Sequence, residues 1–388
     1  MNQPVFDSWQ DQPLEEVLYQ CRELCENAEY PTVAKWRAQG GKVLGHFQVY
    51  FPEEIAHAAG LLPVKMCGGT IQPDKADSRF GSYLCSIIKT SLELVLSEQI
   101  QLDAFVTHPI CDAARNLGAI WGRNYDYPCE ILYLPQNPNS SHSVSYLRGE
   151  YDRLKRMVEK VAGTSITEEA LRDSIQVFNT NRALLRDLYA LKREAPEKIA
   201  AEDAYALVKL SGILPREEHN ALMEYVLPMI QAVDVKQEDR IRIVFEGAFC
   251  EQPPFDLIRM VGRSAYVVDD DFFIGLRWIL NDIPRGEDPL QDLAHAYIED
   301  SSYSPVQHDL RKRKENMLLD RMKVAKADAA IITAAKMCEP GLEEQVAYIH
   351  GLDKAGVPYF VSEFEENQSS FADLELQLET FMENLLFA

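Results

Sequence analysis

Short apolar runs alternate with helical stretches in two separate parts of this 388-residue chain. The runs of the first part are residues 43–50, 61–66, 102–108 and 130–134, and those of the second are residues 241–247, 265–271, 329–334 and 357–361. Strands that alternate with helices form parallel sheets, because each helix carries the chain back to the start of the next strand. The pattern therefore predicts an α/β fold with two Rossmann-like lobes, each built on a parallel sheet.

Other segments have apolar residues at helical spacing. Residues 10–38 show this spacing, and residues 146–237 continue it almost without interruption. A chain of 388 residues is long enough for several cores. We expect an N-terminal helical segment over 1–34, a first α/β lobe over 35–150, a helical region that bridges the lobes over 151–237, and a second α/β lobe over 238–388.

Composition and charge exclude several classes of protein. Hydrophobic residues at 46% and charged residues at 26% are ordinary values for a globular protein, which excludes disorder of the whole chain. The net charge of −22 repels phosphate groups, so we expect no nucleic-acid partner and no membrane association. The sequence has no signal-like start and no run near the roughly 20 apolar residues that span a bilayer. We therefore expect a cytoplasmic protein, where eight cysteines favour metal over disulfides.

Three cysteines, Cys85, Cys111 and Cys338, lie at positions that suit a shared site. Cys111 and Cys338 follow predicted strands and precede predicted helices, and ligands of open α/β sheets bind outside the carboxyl ends of strands. We expect Cys85 on a helix, where Lys89 one turn later favours the thiolate. The spacing predicts a metal cluster between the lobes. The alternative is ordinary packing, because unpaired cysteine is among the most buried residue types.

The remaining cysteines and one acidic run carry weaker signals. Zinc is disfavoured because no C-x₂-C pairs are present. Cys21 and Cys25 have the i, i+4 spacing of packing on an amphipathic helix, and we also expect Cys250 to pack. The run Asp269–Asp271 is interpreted as a solvated turn that caps the next helix, with a metal or proton-relay site as the alternative.

Nucleotide-binding loops are absent from the sequence. Gly40, Gly41 and Lys42 lack the preceding glycine of a Walker A loop, and Val43 stands where serine or threonine should follow. No G-x-G-x-x-G motif follows a predicted strand. We therefore expect this chain to bind neither ATP nor a dinucleotide by these motifs.

Several segments resemble the 2-hydroxyacyl-CoA dehydratase and benzoyl-CoA reductase family. They are residues 41–64, the stretches around the three cysteines at 82–85, 109–112 and 336–340, and the segment 247–271 with Pro253 and Pro254. The resemblance extends over nearly the whole chain from about residue 35. Its length and Asp269–Asp271 make the chain most similar to the benzoyl-CoA reductase branch.

The resemblance implies a cofactor and its ligands. In the family, three cysteines at these motifs hold a 4Fe–4S cluster, and they match Cys85, Cys111 and Cys338. A relative carries a larger double-cubane cluster, which makes Cys67 and Cys129 further candidate ligands. Reduction of an aromatic ring also needs protons, so His46 and His108, near strand ends, are candidate proton donors.

The resemblance also implies a function and partners. The chain would be a catalytic subunit of an ATP-driven, ferredoxin-dependent reductase that converts benzoyl-CoA to a cyclic diene. Its partners would be a homologous second catalytic subunit, an ATPase (activator) subunit pair that uses the ATP, ferredoxin and the acyl-CoA substrate. The alternatives are a 2-hydroxyacyl-CoA dehydratase subunit, a non-catalytic electron-relay subunit, and an α/β binding protein without a cluster.

Overall fold

The computed structural model describes residues 3–47, 51–81, 83–247, 252–272, 279–301 and 309–387. In these residues the strands form two four-stranded parallel sheets. The predicted α/β class with two parallel-sheet lobes is confirmed. No helix in these ranges is both long enough and apolar enough to cross a bilayer.

The N-terminal helical segment is two helices, although the spacing over residues 10–38 is continuous. The helices are Leu14–Glu26 (α1) and Pro31–Ala38 (α2). Tyr30, between them, has the left-handed backbone angles φ 45° and ψ 60°. Pro31 then starts α2, because proline has no N–H to donate and is tolerated in the first turn of a helix.

The first sheet has the strand order β2-β1-β3-β4. Its strands are Val43–His46 (β1), Leu62–Lys65 (β2), Ala104–Thr107 (β3) and Cys129–Ile131 (β4), and its helices are Glu53–Ala58 (α3), Ser86–Leu96 (α4) and Asp112–Asn124 (α5), with a 3₁₀ turn at Ala76–Arg79. Trp121 of α5 stacks on Phe105 of β3 with 3.7 Å between ring centroids. This contact fixes α5 against the face of the sheet.

Helices follow the first sheet and lead to the second. They are Ser143–Ala162 (α6), Glu168–Glu194 (α7), Ala201–Leu210 (α8) and Arg216–Gln231 (α9), with a 3₁₀ turn at Pro196–Lys198. Thr167 starts α7 by accepting the backbone N–H of Ala170 at 3.0 Å. The 27 residues of α7 span about 40 Å, which is long enough to reach both lobes.

The second sheet repeats the arrangement of the first, in the order β6-β5-β7-β8. Its strands are Arg242–Glu246 (β5), Tyr266–Asp270 (β6), Ala329–Ala335 (β7) and Tyr359–Phe364 (β8). The helices in this part are Phe255–Ser264 (α10), Pro289–His295 (α11), Lys314–Ala325 (α12), Glu339–Ala355 (α13) and Ala372–Leu386 (α14), with a π turn at Ala296–Asp300. Strands β3 and β7 therefore hold equivalent places in the two sheets.

Ion pairs join α7 to both lobes. Arg182 pairs with Glu54 of α3, and Lys192 pairs with Asp270 at the end of β6. All four side chains are buried, so removal of one partner would leave a buried charge without its counterion. Helix α7 therefore holds the two lobes in a fixed relation.

The interpretation of Asp269–Asp271 as a solvated turn is wrong. These residues are at most 4% exposed. Asp269 pairs with Arg321 at 2.9 Å and with Arg193 at 3.2 Å, while Asp271 accepts the backbone N–H of Gly247 at 3.1 Å. The carboxylates of Asp269 and Asp270 serve as counterions for cations of neighbouring helices, because a buried charge needs such a partner.

Candidate functional site

The structure brings Cys85, Cys111 and Cys338 to one cavity. All three line a space of about 480 Å³ that has walls from both lobes. Each is the N-cap residue of a helix: Cys85 of α4, Cys111 of α5 and Cys338 of α13. Cys111 follows β3 and Cys338 follows β7, so the equivalent places of these strands put two thiols at equivalent points of the lobes.

Helix N-termini provide the positive electrostatic environment of the site. Unpaired backbone N–H groups of a first helical turn stabilise anions such as thiolates. The Sγ of Cys111 accepts the N–H of Ala114 at 3.3 Å. Burial raises the pKa of the Cys111 thiol, and the N–H groups of Ala114 and Ala113 offset part of that rise. A coordinated metal deprotonates such a thiol outright, so the environment of Cys111 suits a metal ligand.

Cys85 differs in detail from its prediction. It lies at the N-cap, with the extended angles φ −61° and ψ 151°, and α4 begins only at Ser86. The ammonium of Lys89 lies 2.9 Å from a carboxylate oxygen of Asp77. Lys89 is therefore engaged in an ion pair with Asp77, and Cys85 stands instead at the N-terminus of α4, where the helix dipole favours an anion.

The walls of the cavity are mainly apolar and its rim is acidic. The apolar lining consists of Phe47, Leu84, Ile87, Ile88, Ile110 and Leu342. Asp112, Glu339 and Glu343 lie at the exposed rim. Two large apolar side chains, Tyr83 and Met337, also line the opening and are 85% and 46% exposed. The interior therefore disfavours water, whereas the opening presents apolar and negative groups to the surface.

A strained residue precedes one of the cysteines. Met337 has φ 63°, a left-handed conformation that is unfavourable for a side chain with a Cβ. Such conformations cost about 1–3 kcal/mol each. Met337 stands in the turn between β7 and α13, directly before Cys338, and both residues line the cavity.

The donor set fits an iron–sulfur cluster better than a single ion. Within the described ranges, no three His, Cys, Asp or Glu side chains converge closely enough to hold one metal ion. Cysteine thiolates are the protein ligands that iron–sulfur clusters take, and Cys85, Cys111 and Cys338 would supply three of them. Three thiols at three helix N-termini around an apolar space match this requirement.

Cys67 and Cys129 do not line this cavity. Cys67 follows β2, its thiol pKa is raised by burial, and its carbonyl accepts the hydroxyl of Tyr30 at 2.6 Å. Cys129 starts β4, donates to the carbonyl of Gly118 at 3.4 Å, and has a thiol pKa raised to about 12 by burial. Their role as ligands of a larger cluster stays a prediction.

The other cysteines have packing environments or lie outside the described ranges. Cys21 and Cys25 are buried on α1, and burial raises the pKa of both thiols. Cys25 donates to the carbonyl of Ala206 at 3.5 Å, which ties α1 to α8. Cys250 is not among the described residues.

His46 belongs to a buried polar network next to the cavity. It ends β1, directly before Phe47 of the cavity wall, and its Nε2 lies 2.9 Å from a carboxylate oxygen of Glu53. Burial opposes ionisation of Glu53, but Arg216 and His46 together hold the pKa of Glu53 below its usual value. Glu53 is therefore ionised and accepts the Nε2 proton, which fixes the orientation of the imidazole.

His108 has a different environment. The ring is fully buried, its Nδ1 donates to the carbonyl of Leu132 at 3.1 Å, and burial lowers its pKa to about 3. His108 is neutral at physiological pH and therefore carries no imidazolium proton to donate. Neither histidine lines the cavity, and both proton-donor assignments stay predictions.

Sequence reasoning missed the partners of His46. Glu53 is the first residue of α3 and lies only seven positions after His46, so this contact could have been predicted from the local sequence. Arg216 is 163 positions from Glu53, and no local pattern connects the two.

Comparison with known proteins agrees with this geometry. Residues 48–385 match the family described as 2-hydroxyglutaryl-CoA dehydratase, D-component. The chain belongs to this family. The matched residues include all three cavity cysteines and every strand of the second sheet that the structure describes.

Relatives of the chain within this family are subunits of CoA-thioester enzymes. One subunit of the benzoyl-CoA reductase of Thauera aromatica is 31% identical, over 95% of this chain and 98% of the relative. The beta subunit of lactoyl-CoA dehydratase of Anaerotignum propionicum is 28% identical, over 96% and 99%. The beta subunit of (R)-2-hydroxyglutaryl-CoA dehydratase of Acidaminococcus fermentans is 24% identical, over 91% and 95%. The similarity extends over nearly the full length of reductase and dehydratase subunits alike.

Proposed function

We propose that this chain is a catalytic subunit of an ATP-driven, ferredoxin-dependent benzoyl-CoA reductase, equivalent to its relative in Thauera aromatica. The reaction would convert benzoyl-CoA to a cyclohexadiene-carbonyl-CoA. The observation that carries the proposal is the placement of Cys85, Cys111 and Cys338 around one cavity with walls from both lobes. The 31% identity to a benzoyl-CoA reductase subunit supports the choice of substrate.

The residues of the cavity suit a low-potential cofactor. An iron–sulfur cluster held by Cys85, Cys111 and Cys338 would supply one-electron reduction. Each of the three cysteines stands at a helix N-terminus, where the helix dipole favours a thiolate, and Cys111 also accepts the N–H of Ala114. Apolar walls such as Phe47 exclude water from the site, which protects a reactive radical intermediate.

His46 is the proposed proton donor on this chain. A ring that accepts electrons must also accept protons before the electrons return to the donor. Glu53 fixes the imidazole through Nε2, and Arg216 fixes Glu53 in turn. His46 adjoins Phe47, which forms part of the cavity wall.

The proposal includes partner subunits. The sequence lacks a Walker A loop, so we assign ATP hydrolysis to an ATPase pair, with ferredoxin as the electron source. The opening of the cavity exposes Tyr83 and Met337, side chains that are usually covered in an assembly. A homologous second catalytic subunit that covers this opening would complete a water-free site.

Two other functions have specific support. The family description and the lactoyl-CoA dehydratase relative favour a 2-hydroxyacyl-CoA dehydratase subunit, which would remove water from its substrate. The carboxylates of Asp112, Glu339 and Glu343 at the opening repel the phosphates of CoA, which favours an electron-relay subunit whose partner binds the thioester.

Substrate tests on the anaerobically purified complex separate these functions. Benzoyl-CoA and a 2-hydroxyacyl-CoA are offered to the same preparation with ATP and reduced ferredoxin. We expect turnover of benzoyl-CoA; turnover of the hydroxyacyl-CoA alone would assign the dehydratase function. Full activity and normal iron content in a Cys111→Ala variant would contradict the proposed role of this cavity.

A further inference from the structure

A buried carboxylate of the second lobe reaches into the first lobe beside the cavity. Glu366 follows β8 and is 2% exposed. Its backbone N–H donates to the hydroxyl of Ser86 at 3.3 Å. Its Oε2 lies 3.3 Å from the hydroxyl of Thr90, which shares its one proton between Glu366 and the carbonyl of Ser86 at 3.1 Å. Ser86 and Thr90 both belong to the first turns of α4, the helix that Cys85 caps.

The loop after β2 completes the surroundings of this carboxylate. The backbone N–H groups of Gly68 and Gly69 donate to Glu366, and Lys209 of α8 is the main neighbouring positive charge. A Cβ on Gly68 would lie 2.0 Å from the Cβ of Thr90, so only glycine allows the loop to approach α4 this closely. The carboxylate therefore sits in a tight setting to which the first lobe contributes both a loop and a helix.

Glu366 is also rigidly connected to Cys338. Ala335, at the end of β7, pairs with Phe364 at the end of β8, and the N–H of Lys336 donates to the carbonyl of Phe364 at 2.8 Å. Cys338 is three residues beyond Ala335, and Glu366 is two residues beyond Phe364. Hydrogen bonds of the β7–β8 ladder and short stretches of chain thus connect Cys338 to Glu366. The hydrogen bond from Glu366 to Ser86 then leads to α4 and to Cys85, the residue before Ser86.

We propose that Glu366 is a positioning residue that fixes the spacing between Cys85 of the first lobe and Cys338 of the second. This inference rests on the proposed function, because the spacing matters only if both thiols hold one cluster. Carboxylates that orient metal ligands from outside the coordination sphere change metal affinity about 10–100-fold when they are mutated. Glu366 does not contact a cysteine side chain in this proposal; it holds α4, which Cys85 caps, against the end of β8, which pairs with the strand before Cys338.

The first test compares Glu366→Gln with Glu363→Gln in the full chain, purified anaerobically. Glu363 is exposed and three residues away, so it receives the same chemical change without the buried contacts. Iron and sulfide per chain, the EPR spectrum and the rate of iron loss to a chelator are measured. We expect Glu366→Gln to lose iron about 10-fold faster or more, with an altered EPR spectrum, and Glu363→Gln to match the wild type.

A second pair of variants separates positioning from general loss of stability. Thr90→Val removes the hydroxyl that donates to Glu366, and Thr90→Ser keeps it. We expect Thr90→Val to reproduce the faster iron loss and altered spectrum, and Thr90→Ser to restore the wild-type values. This pair also carries the test if Glu366→Gln does not fold.

The results test the proposed function and the positioning role of Glu366 separately. An iron-free wild-type preparation would overturn the proposed function itself. A wild type that retains iron, together with Glu366→Gln and Thr90→Val variants that retain it equally well, would overturn the positioning role alone.

Discussion

His219 provides a stability prediction whose size follows from its hydrogen bonds. It is fully buried on α9, its Nε2 donates to the carbonyl of Leu207 at 2.8 Å, and its Nδ1 accepts from the amide of Asn181 at 2.6 Å. If Nδ1 were protonated, its N–H would point at the N–H of the Asn181 amide, and neither donor would have an acceptor. Burial, with a contribution from the positive charge of Arg216, lowers the pKa of His219 to about 3.

Proton linkage gives the direction and the size of the effect of His219 on the unfolding free energy as the pH changes. The unfolded histidine has a pKa of about 6.5, so below this pH the unfolded chain binds a proton that the folded chain does not. Stability is therefore lost as the pH falls below about 6.5, and the loss ends near the folded pKa of about 3. Between pH 7 and pH 5 one such histidine costs about 2 kcal/mol of unfolding free energy.

Urea unfolding of wild type and His219→Gln at these two pH values measures this contribution. Glutamine keeps a donor near the position of Nε2 and cannot be protonated. We expect the wild type to lose about 2 kcal/mol more than the variant between pH 7 and pH 5. Replacement of the exposed His142 by glutamine is the control and should leave the wild-type difference unchanged. Parallel losses in wild type and His219→Gln would refute a neutral, buried His219.

Three further substitutions test the packing around the site by urea unfolding. Trp121→Ala removes a fully buried ring from α5 and should cost about 3–5 kcal/mol, visible as a lower urea midpoint. Gly68→Ala should cost about 1–3 kcal/mol by overpacking, whereas Gly149→Ala, with open space around its Cβ, should not destabilise. Lys192→Met leaves Asp270 as a buried, uncompensated carboxylate and should cost about 3–5 kcal/mol. If Trp121→Ala, Gly68→Ala or Lys192→Met were as stable as the wild type, the contacts described for that residue would be contradicted.

Strand positions were predictable because buried parallel strands are continuous apolar runs. The run 43–50 marked β1, which is formed by Val43–His46, and Phe47, the next residue of the run, lines the cavity. Helical structure over residues 10–38 was also predicted, and α1 and α2 form there. The break at Tyr30 was not, because helical spacing continues through it.

The cavity cysteines were predictable in part. Two of them follow strands, and parallel strands of one sheet present their carboxyl ends at one edge. The contacts between the lobes beside the cavity were not predictable, because residues such as Thr90 and Glu366 are 276 positions apart. Partners at this separation leave no spacing signal in the sequence, so only the packing of the two lobes reveals them.

The exposed opening of the cavity accounts for features that packing alone does not require. Met337 adopts a strained conformation beside Cys338, and Tyr83 is 85% exposed. Backbone strain lowers the stability of the chain, and a contiguous exposed apolar patch is typical of a surface that binds a partner. Both are explained if the chain holds a cofactor at this opening and a partner covers it.

Iron and sulfide analysis with EPR spectroscopy, on anaerobically purified chain, tests the central claim most directly. We expect about four iron and four sulfide per wild-type chain. The cluster signal should be lost in Cys85→Ala, Cys111→Ala and Cys338→Ala and unchanged in Cys25→Ala, a substitution of a packing cysteine on α1. An iron-free wild type, or a full iron content in all three cavity variants, would contradict the claim.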